Sequence, residues 1–324
     1  MDINVVRINH CGGPEVMTLE RQHLPPPMPN EVQLKISAIG LNMIDTYHRS
    51  GLYPLALPSG LGCEAAGEVV AIGANVSRFK IGDRAAFSMG IGAYAEAMNL
   101  LEMQLVPIPD GVSDAQAASV LLKGMTVEFL FHHTYPLHGG ETILFHAAAG
   151  GVGLLACQWA RDIGVHLIGT AGTQEKCDLA LQNGASACFI SDDPQLPALL
   201  REASGGEGFS VVYDSVGKAS FQTSLEALKP FGMFVSFGNA SGPVDPIAPS
   251  LLAAHGSLYF TRPTLATYVA DITRMQVSAQ KVFDKVVTGK LSVQINQTYA
   301  LSDIQQAHRD LEARKTTGCS VIIP

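Results

Sequence analysis

The sequence carries little charge. Asp, Glu, Lys and Arg make up 15% of its 324 residues, and acids outnumber bases 29 to 21 for a formal net charge of −8. An acidic chain exerts no long-range pull on nucleic acid or anionic lipid, so neither is expected as its main partner. Long unbroken apolar runs are missing too. The segment nearest to one, LFHAAAGGVGLLACQWARDIG (144–164), is interrupted by its glycines and by His146, Gln158 and Arg161, which argues against a membrane span. The opening MDINVVRINHCGGPEV places Asp2, Arg7 and His10 where a secretory leader needs an apolar core, so a cytoplasmic protein is expected. Six cysteines stand at 11, 63, 157, 177, 188 and 319 without a CxxC or a paired spacing, which is thiol usage of a reducing compartment rather than a disulfide framework. No internal repeat or low-complexity segment is present. What remains is 47% hydrophobic residues over a length that suits two domains.

The first third reads as β. In EVQLKI (31–36) Val32, Leu34 and Ile36 alternate with polar neighbours, a half-buried strand; GEVVAIG (67–73) and GAYAEAM (92–98) are further strand candidates. Short strands joined by Gly, Pro, Asn and Asp loops predict a barrel-like or sandwich-like unit, with HLPPPMPNE a rigid surface connector. At Ser113 the period changes: Ser113 and Gln116 form a capping box that opens a helix. Strands and helices then alternate through TILFHA, GVGLLACQWARDI, VHLIGTA, QEKCDLALQN, SACFIS, PALLREA, SVVYDSV, KASFQTSLEALKPFG, MFVSFGN and SLYFTRP. That order, with nearly continuous apolar strands, predicts an α/β fold built on a doubly wound parallel sheet. The tail is expected to hold one helix over about 265–288, a strand in VQINQTYAL, a helix capped by Ser302 with Gln305, and a closing strand SVIIP.

Ala148-Ala149-Gly150-Gly151-Val152-Gly153 follows a strand and opens a helix, and reads as A-x-G-x-x-G. The turn glycine of the dinucleotide fingerprint is replaced by Ala148. Gly150 lets the backbone approach a pyrophosphate, and Gly153 lets helix and strand pack closely. The helix N-terminus adds free N–H donors for phosphate; the bland alternative is tight packing with no ligand. At the end of the second strand, GTAGTQEK has no acid until Glu175 to hold both ribose hydroxyls, while Lys176 is available for a 2′-phosphate, so NADPH is favoured over NADH unless Lys176 is only a solvated helix residue.

Taken together, HAAAGGVGLLACQWA, NMIDTYHRSGLYP, LPSGLGCEAAG, VVYDSVG, VSFGNASG and LYFTRP resemble the medium-chain dehydrogenase/reductase superfamily, and within it the zinc-free NADPH:quinone oxidoreductases of the zeta-crystallin-like group, bacterial type. The resemblance runs from about Gly12 to Pro324. It implies a GroES-like β-barrel-type domain from 1–122 plus 262–324, a Rossmann dinucleotide-binding domain over 123–261 inserted in it, a cleft at their junction and a homodimer. Positions that carry zinc ligands in zinc-dependent relatives hold Asn42, Cys63 and, near the third, Lys123, which cannot supply a three-ligand tetrahedral site; no metal is expected, and Cys63 reads as a small buried residue. The resemblance further implies that Gly150, Gly151, Val152 and Gly153 hold the pyrophosphate. Thr126 and Asn42 would lie near the nicotinamide, Gly172, Thr173 and Lys176 around the 2′-phosphate with Arg262 as a second cation, and Ser215, Phe237, Gly238 and Asn239 along the cofactor. Ser191, Asp192 and Asp193 depart from the family pattern and would soften the preference for NADPH.

Hydride transfer needs no protein nucleophile; the protein aligns cofactor and acceptor and excludes water. The expected activity is NADPH-dependent reduction of a small quinone without metal. Asn42, Asp45, Tyr47 and Tyr53 are the candidate catalytic residues, with Tyr or Asn donating to the developing quinol oxygen, Asp45 as an orienting carboxylate, and His48 at the surface. Tyr47 and Tyr53 could equally be rim packing. Two other readings stand beside it: reduction of the activated C=C of an unsaturated ketone or aldehyde, and a non-catalytic, crystallin-like NADPH-binding protein.

Overall fold

Apolar alternation builds the N-terminal sheets. The computed structural model describes residues 1–324, beginning with β1 (Asp2–Ile8), β2 (Thr18–His23), β3 (Glu31–Leu41), α1 (Met43–Ser50), β4 (Ser59–Gly60), β5 (Glu64–Ile72), β6 (Arg84–Ser88), β7 (Ala97–Leu101), β8 (Leu105–Pro107) and α2 (Asp114–Phe129). Val32, Leu34 and Ile36 of β3 are buried as their spacing requires. β3 is the hub, paired antiparallel with both β5 and β7. The strand expected at 92–98 begins only at Ala97. Gly92 takes φ +114 and turns the chain, so that Gly92 and Tyr94 donate to the carbonyls of Gly62 and Leu61 instead. The capping box forms as read: Gln116 N donates to Ser113 Oγ and Ser113 N to Gln116 Oε1.

After α2 come β9 (Thr142–Phe145), α3 (Gly151–Asp162), β10 (His166–Ala171), α4 (Gln174–Gln182), β11 (Ala187–Ile190), α5 (Leu196–Ala203), β12 (Phe209–Asp214), α6 (Phe221–Ala227), β13 (Leu228–Ser236), α7 (Pro249–Ala254), β14 (Tyr259–Thr261) and α8 (Leu265–Tyr268). The six strands form one sheet in the order β11-β10-β9-β12-β13-β14, and every pair is parallel. The order reverses between β9 and β12, the doubly wound arrangement. All six strand ends open on one edge, where ligands bind in such folds.

The chain closes with α9 (Ile272–Val287), β15 (Ile295–Ala300), α10 (Ile304–Glu312) and β16 (Cys319–Ile323), the last pairing antiparallel with β3. The single helix expected over 265–288 is two, because the Asp271 side chain accepts from Arg274 N and starts α9 afresh. Ser302 does not cap α10. Leu301–Asp303 winds as a tight turn, and Gln305 donates its side chain to Met17 O rather than folding back.

Two units result. One comprises Met1–Met125, Val269–Gly289 and Val293–Pro324; the other comprises Thr126–Tyr268 and Lys290–Ser292. The divisions fall later than 122/123 and 261/262. α2 runs unbroken across the first, and residues through Tyr268 stay with the second unit, where the Phe129 and Tyr268 rings stack at 4.5 Å. Lys290–Ser292 return to that unit because Lys290 pairs with Asp162 at 2.7 Å and Ser292 N donates to Gln158 Oε1 at 2.6 Å.

Candidate active site

The glycine turn connects β9 to α3. Ala147 adopts φ +55, and the Ala148 amide donates to Thr170 O on β10. A Cβ on Gly153 would lie 2.4 Å from Ala147 O, which no side chain tolerates, so close strand–helix packing fixes that glycine. A Cβ on Gly150 would meet nothing nearer than Ala147 O at 3.3 Å, leaving the backbone open above the turn. The missing turn glycine is compensated across the sheet. A Cβ on Gly169 would come within 2.6 Å of the Ala148 methyl, so glycine on β10 makes the room that alanine on the turn takes up. Gly151 and Val152 follow in the first turn of α3, where amides have no intrahelical acceptor.

A second cradle forms after β10. Thr173 caps α4, its hydroxyl accepting from Lys176 N at 3.3 Å; Gly172 is open, with nothing within 4 Å of a Cβ. Thr173 and Lys176 therefore share one helix N-terminus, which suits a phosphate. Arg262 does not join them. It follows β14, four strands from β10, roughly 19 Å at the usual strand spacing, and its guanidinium donates to Pro263 O. In strand order Arg262 therefore stands apart from the Thr173–Lys176 cradle. Asp192 and Asp193 stand beyond the end of β11, next to β10 in the sheet.

Ser215 and Gly238 meet at the ends of β12 and β13, where a Cβ on Gly238 would lie 2.5 Å from Ser215 O. Phe237 packs its ring 5.6 Å from Phe145, and Asn239 turns the chain by accepting Gly242 N. Beneath these loops runs a buried polar network. The Ser224 hydroxyl donates to Asp214 Oδ2, so it accepts from His146 Nε2 at 3.0 Å; His146 Nδ1 then accepts from Thr170 Oγ1 at 2.8 Å. Burial pushes His146 down and keeps the ring neutral, although Asp214 pulls the other way. Asp214 Oδ1 also takes the amides of Val216 and Gly217. The network thus ties the start of the loop after β9 to the end of β10 and to the loop after β12.

In the other unit the candidate catalytic residues cluster on α1. Asn42 N donates to Asp45 Oδ2 at 2.9 Å, Tyr94 donates to the same oxygen at 2.8 Å, and Tyr47 and Tyr53 meet edge-on at 5.2 Å. Burial pushes Asp45 up to about 6, opposed by the Asn42 amide, the Tyr94 and Cys63 side chains and the Lys123 charge. His48 is not at the surface: it is buried, with Nδ1 3.6 Å from the Cys63 sulfur, and desolvation lowers it. Glu64 Oε2 accepts from Asn42 Nδ2 at 2.9 Å and from Lys123 Nζ at 3.3 Å, while its other oxygen takes Leu122 N. Burial is the largest influence on Lys123 and acts to lower it, but the Glu64 charge and hydrogen bond, with Cys319 and Asp45 nearby, together outweigh it and hold the ammonium above the ordinary lysine value. Thr126 lies one turn further along α2, buried.

The sequence reading missed Tyr94 as a partner of Asp45, and His308 and Arg49 behind it. Two i,i+4 pairs left a trace, Asp45 with Arg49 on α1 and His308 with Glu312 on α10. Tyr94 lies outside both helices, and only folding brings the three segments together.

A parallel doubly wound sheet with an open glycine turn at its carboxyl edge, in one chain with a largely antiparallel unit holding buried polar residues, defines a two-unit dinucleotide-dependent oxidoreductase of the medium-chain type. Comparisons narrow it. The family described as "Alcohol dehydrogenase GroES-like domain" matches residues 28–110, and that described as "Zinc-binding dehydrogenase" matches residues 151–274. The quinone oxidoreductase of Pseudomonas aeruginosa is 50% identical over 315 residues, 97% of each chain. Quinone oxidoreductase 1 of Escherichia coli is 44% identical, over 98% of this chain and 99% of that one. A 2-haloacrylate reductase of Burkholderia is 36% identical over 98% of both. The crystal structure of Escherichia coli quinone oxidoreductase complexed with NADPH aligns at a TM-score of 0.97 and 42% identity, covering 99% of this chain and all of that one. The chain belongs to the zinc-free quinone oxidoreductases of the medium-chain dehydrogenase/reductase superfamily. The zinc named in one family description does not fit here. Of the three ligand positions, Asn42 is engaged through its amide by Glu64, Cys63 is a buried thiol held well above its ordinary value by desolvation, and Lys123 is an ammonium.

Proposed function

We propose that this protein is an NADPH-dependent quinone oxidoreductase that passes reducing equivalents to a small quinone without a metal. The observation that carries the reading is the open backbone over Gly150 at a helix N-terminus, on a chain that matches quinone oxidoreductases along nearly its whole length. The first-turn amides of Gly151, Val152 and Gly153 would hold the pyrophosphate, and Thr173 and Lys176, with Gly172 leaving room, the 2′-phosphate. Ser215, Phe237, Gly238 and Asn239 would border the cofactor, and Thr126 and Asn42 its nicotinamide end. Arg262, exposed at the end of β14, faces the same sheet edge as those loops. When bound, NADPH supplies the hydride. Asn42, Tyr47 and Tyr53 would orient the acceptor, the tyrosine hydroxyls or the Asn42 amide donating to the oxygen on which charge develops. Asp45 would hold the turn that carries Asn42.

Lys176→Ala should weaken NADPH binding by about tenfold or more, the worth of a charged hydrogen bond, and leave NADH binding nearly unchanged. Fluorescence titration with both cofactors checks this, and equal losses would remove Lys176 from the phosphate site. A second reading has its own support in the 2-haloacrylate reductase relative: reduction of an activated C=C. Steady-state turnover with a p-quinone and with an enone separates them, a larger kcat/KM on the enone favouring the second.

A homodimer is part of the proposal. β14 ends the six-stranded sheet, and beside it Tyr259 is 60% and Phe231 72% exposed, an apolar edge that a second copy would cover. A cytoplasmic location agrees with six free cysteines and with no helix long and apolar enough to cross a membrane.

A further inference from the structure

A file of polar side chains, buried from Arg49 inward, leads from the C-terminal helix to Asp45. Glu312 on α10 accepts from Arg49 twice, at 2.6 and 3.0 Å, and Arg49 Nη1 also donates to His308 Nδ1 at 2.9 Å. A guanidinium only donates, so His308 Nδ1 carries no proton. Burial, with the Arg49 charge, drives His308 down to about 3 and keeps it neutral. Its one N–H is therefore on Nε2 and points to the Tyr94 oxygen at 2.9 Å. The Tyr94 hydrogen is left for Asp45 Oδ2. Each donor is dictated by the one before it. Oδ2 ends with two donors, Tyr94 and the Asn42 amide, while Oδ1 is buried with no nitrogen or oxygen donor, and the Cys63 thiol is the remaining neighbour of the carboxyl.

We propose that Arg49, His308 and Tyr94 are positioning residues: a one-way hydrogen-bond chain that keeps Asp45 a carboxylate gripping the Asn42 amide, and so holds the Asn42–Tyr53 segment in its working shape. The proposal rests on the reading of that segment as the acceptor site. The groups facing Asp45 are Tyr94, the Cys63 thiol with His48 behind it, and Lys123 with Glu64. A proton arriving on Oδ1 neutralises the acceptor and strips both bonds at Oδ2 of their charge assistance. Activity should therefore fall on acidification, with Asp45 setting the limb.

The test measures kcat/KM for p-benzoquinone from pH 5 to 8, with NADPH affinity as the control, in the wild type and in Tyr94→Phe, His308→Gln, His308→Leu and Asp45→Asn. Tyr94→Phe removes a donor to the ionised carboxyl, so the acid limb should move up by about one pH unit. Glutamine can accept from Arg49 and donate to Tyr94 as the neutral histidine does, so His308→Gln should keep the wild-type limb while His308→Leu moves it upward. Asp45→Asn should lose tenfold or more in kcat/KM and bind NADPH normally. Limbs unmoved by both Tyr94→Phe and His308→Leu, or moved alike by Gln and Leu, overturn the proposal, as does a wild-type rate that rises toward acid pH. Should Tyr94→Phe fail to bind NADPH through misfolding, the His308 pair decides. Full activity in Asp45→Asn overturns the acceptor-site reading together with the proposal, whereas its loss with unmoved limbs overturns the proposal alone.

Discussion

Asp45 concentrates the conflict between stability and function in one side chain. Its folded value of about 6 lies above the ordinary 3.8, so folding favours the neutral form. The cost of holding the charged form appears as pH rises from 3.8 through 6 and is complete above that range. Asp45→Asn should accordingly raise the melting temperature at pH 7.5, by an amount worth about 2–3 kcal/mol at most, and lose that advantage near pH 4. Thermal denaturation at the two pH values checks this; an equal shift at both would mean that desolvated charge is not the cause. The opposite choice is made at Glu64 and Lys123, where a buried acid and a buried base share a 3.3 Å contact and neither is left alone. Glycines 153 and 169 illustrate how residue-level sequence signals differ in legibility. Gly153 stands where the fingerprint demands it. Gly169 is meaningful only because Ala148 lies across from it.

Among the elements, those with a clean period were legible. β3, α3, β10 and β12 fall where alternation, an apolar helical face or a buried apolar run put them. The misreadings have particular causes. One helix over 265–288 became two because Asp271 caps inside an otherwise helical pattern, and Gln305 abandoned a capping box for the Met17 carbonyl. A local cap decides the first case, and a distant partner, the Met17 carbonyl, decides the second. The His146–Ser224–Asp214 network operates at this scale, since it joins the ends of β9, β10 and β12 to α6 rather than making one contact. His146→Leu, which leaves Ser224 and Thr170 without their shared partner, should weaken NADPH and NADH by similar factors of about ten. Titration with both cofactors distinguishes this from the selective loss expected at Lys176. A loss confined to NADPH would place His146 in the phosphate site instead.

For the whole molecule, the exposed edge of the parallel sheet is the decisive feature. An open strand bordered by Tyr259 and Phe231 is costly to leave in water. On the proposed homodimer through this edge, Tyr259→Asp should give a monomer in light scattering after gel filtration where the wild type gives a dimer, and leave NADPH affinity within about twofold. A dimer that survives Tyr259→Asp would place the contact elsewhere. The sequence alone determined the alternation of strands and helices from β9 to β13, the glycine turn, the lysine after the second strand and the unsuitability of positions 42, 63 and 123 for zinc, because each depends on near neighbours and residue chemistry. Tertiary structure decided which polar groups meet. It set Arg262 four strands away from the strand before Lys176, buried His48, and brought Tyr94 onto Asp45 and His308 of α10 between Tyr94 and Arg49. Hydrogen bonds between residues 45, 94 and 308 leave no periodic mark on a chain, because only packing brings such distant positions within 3 Å of one another.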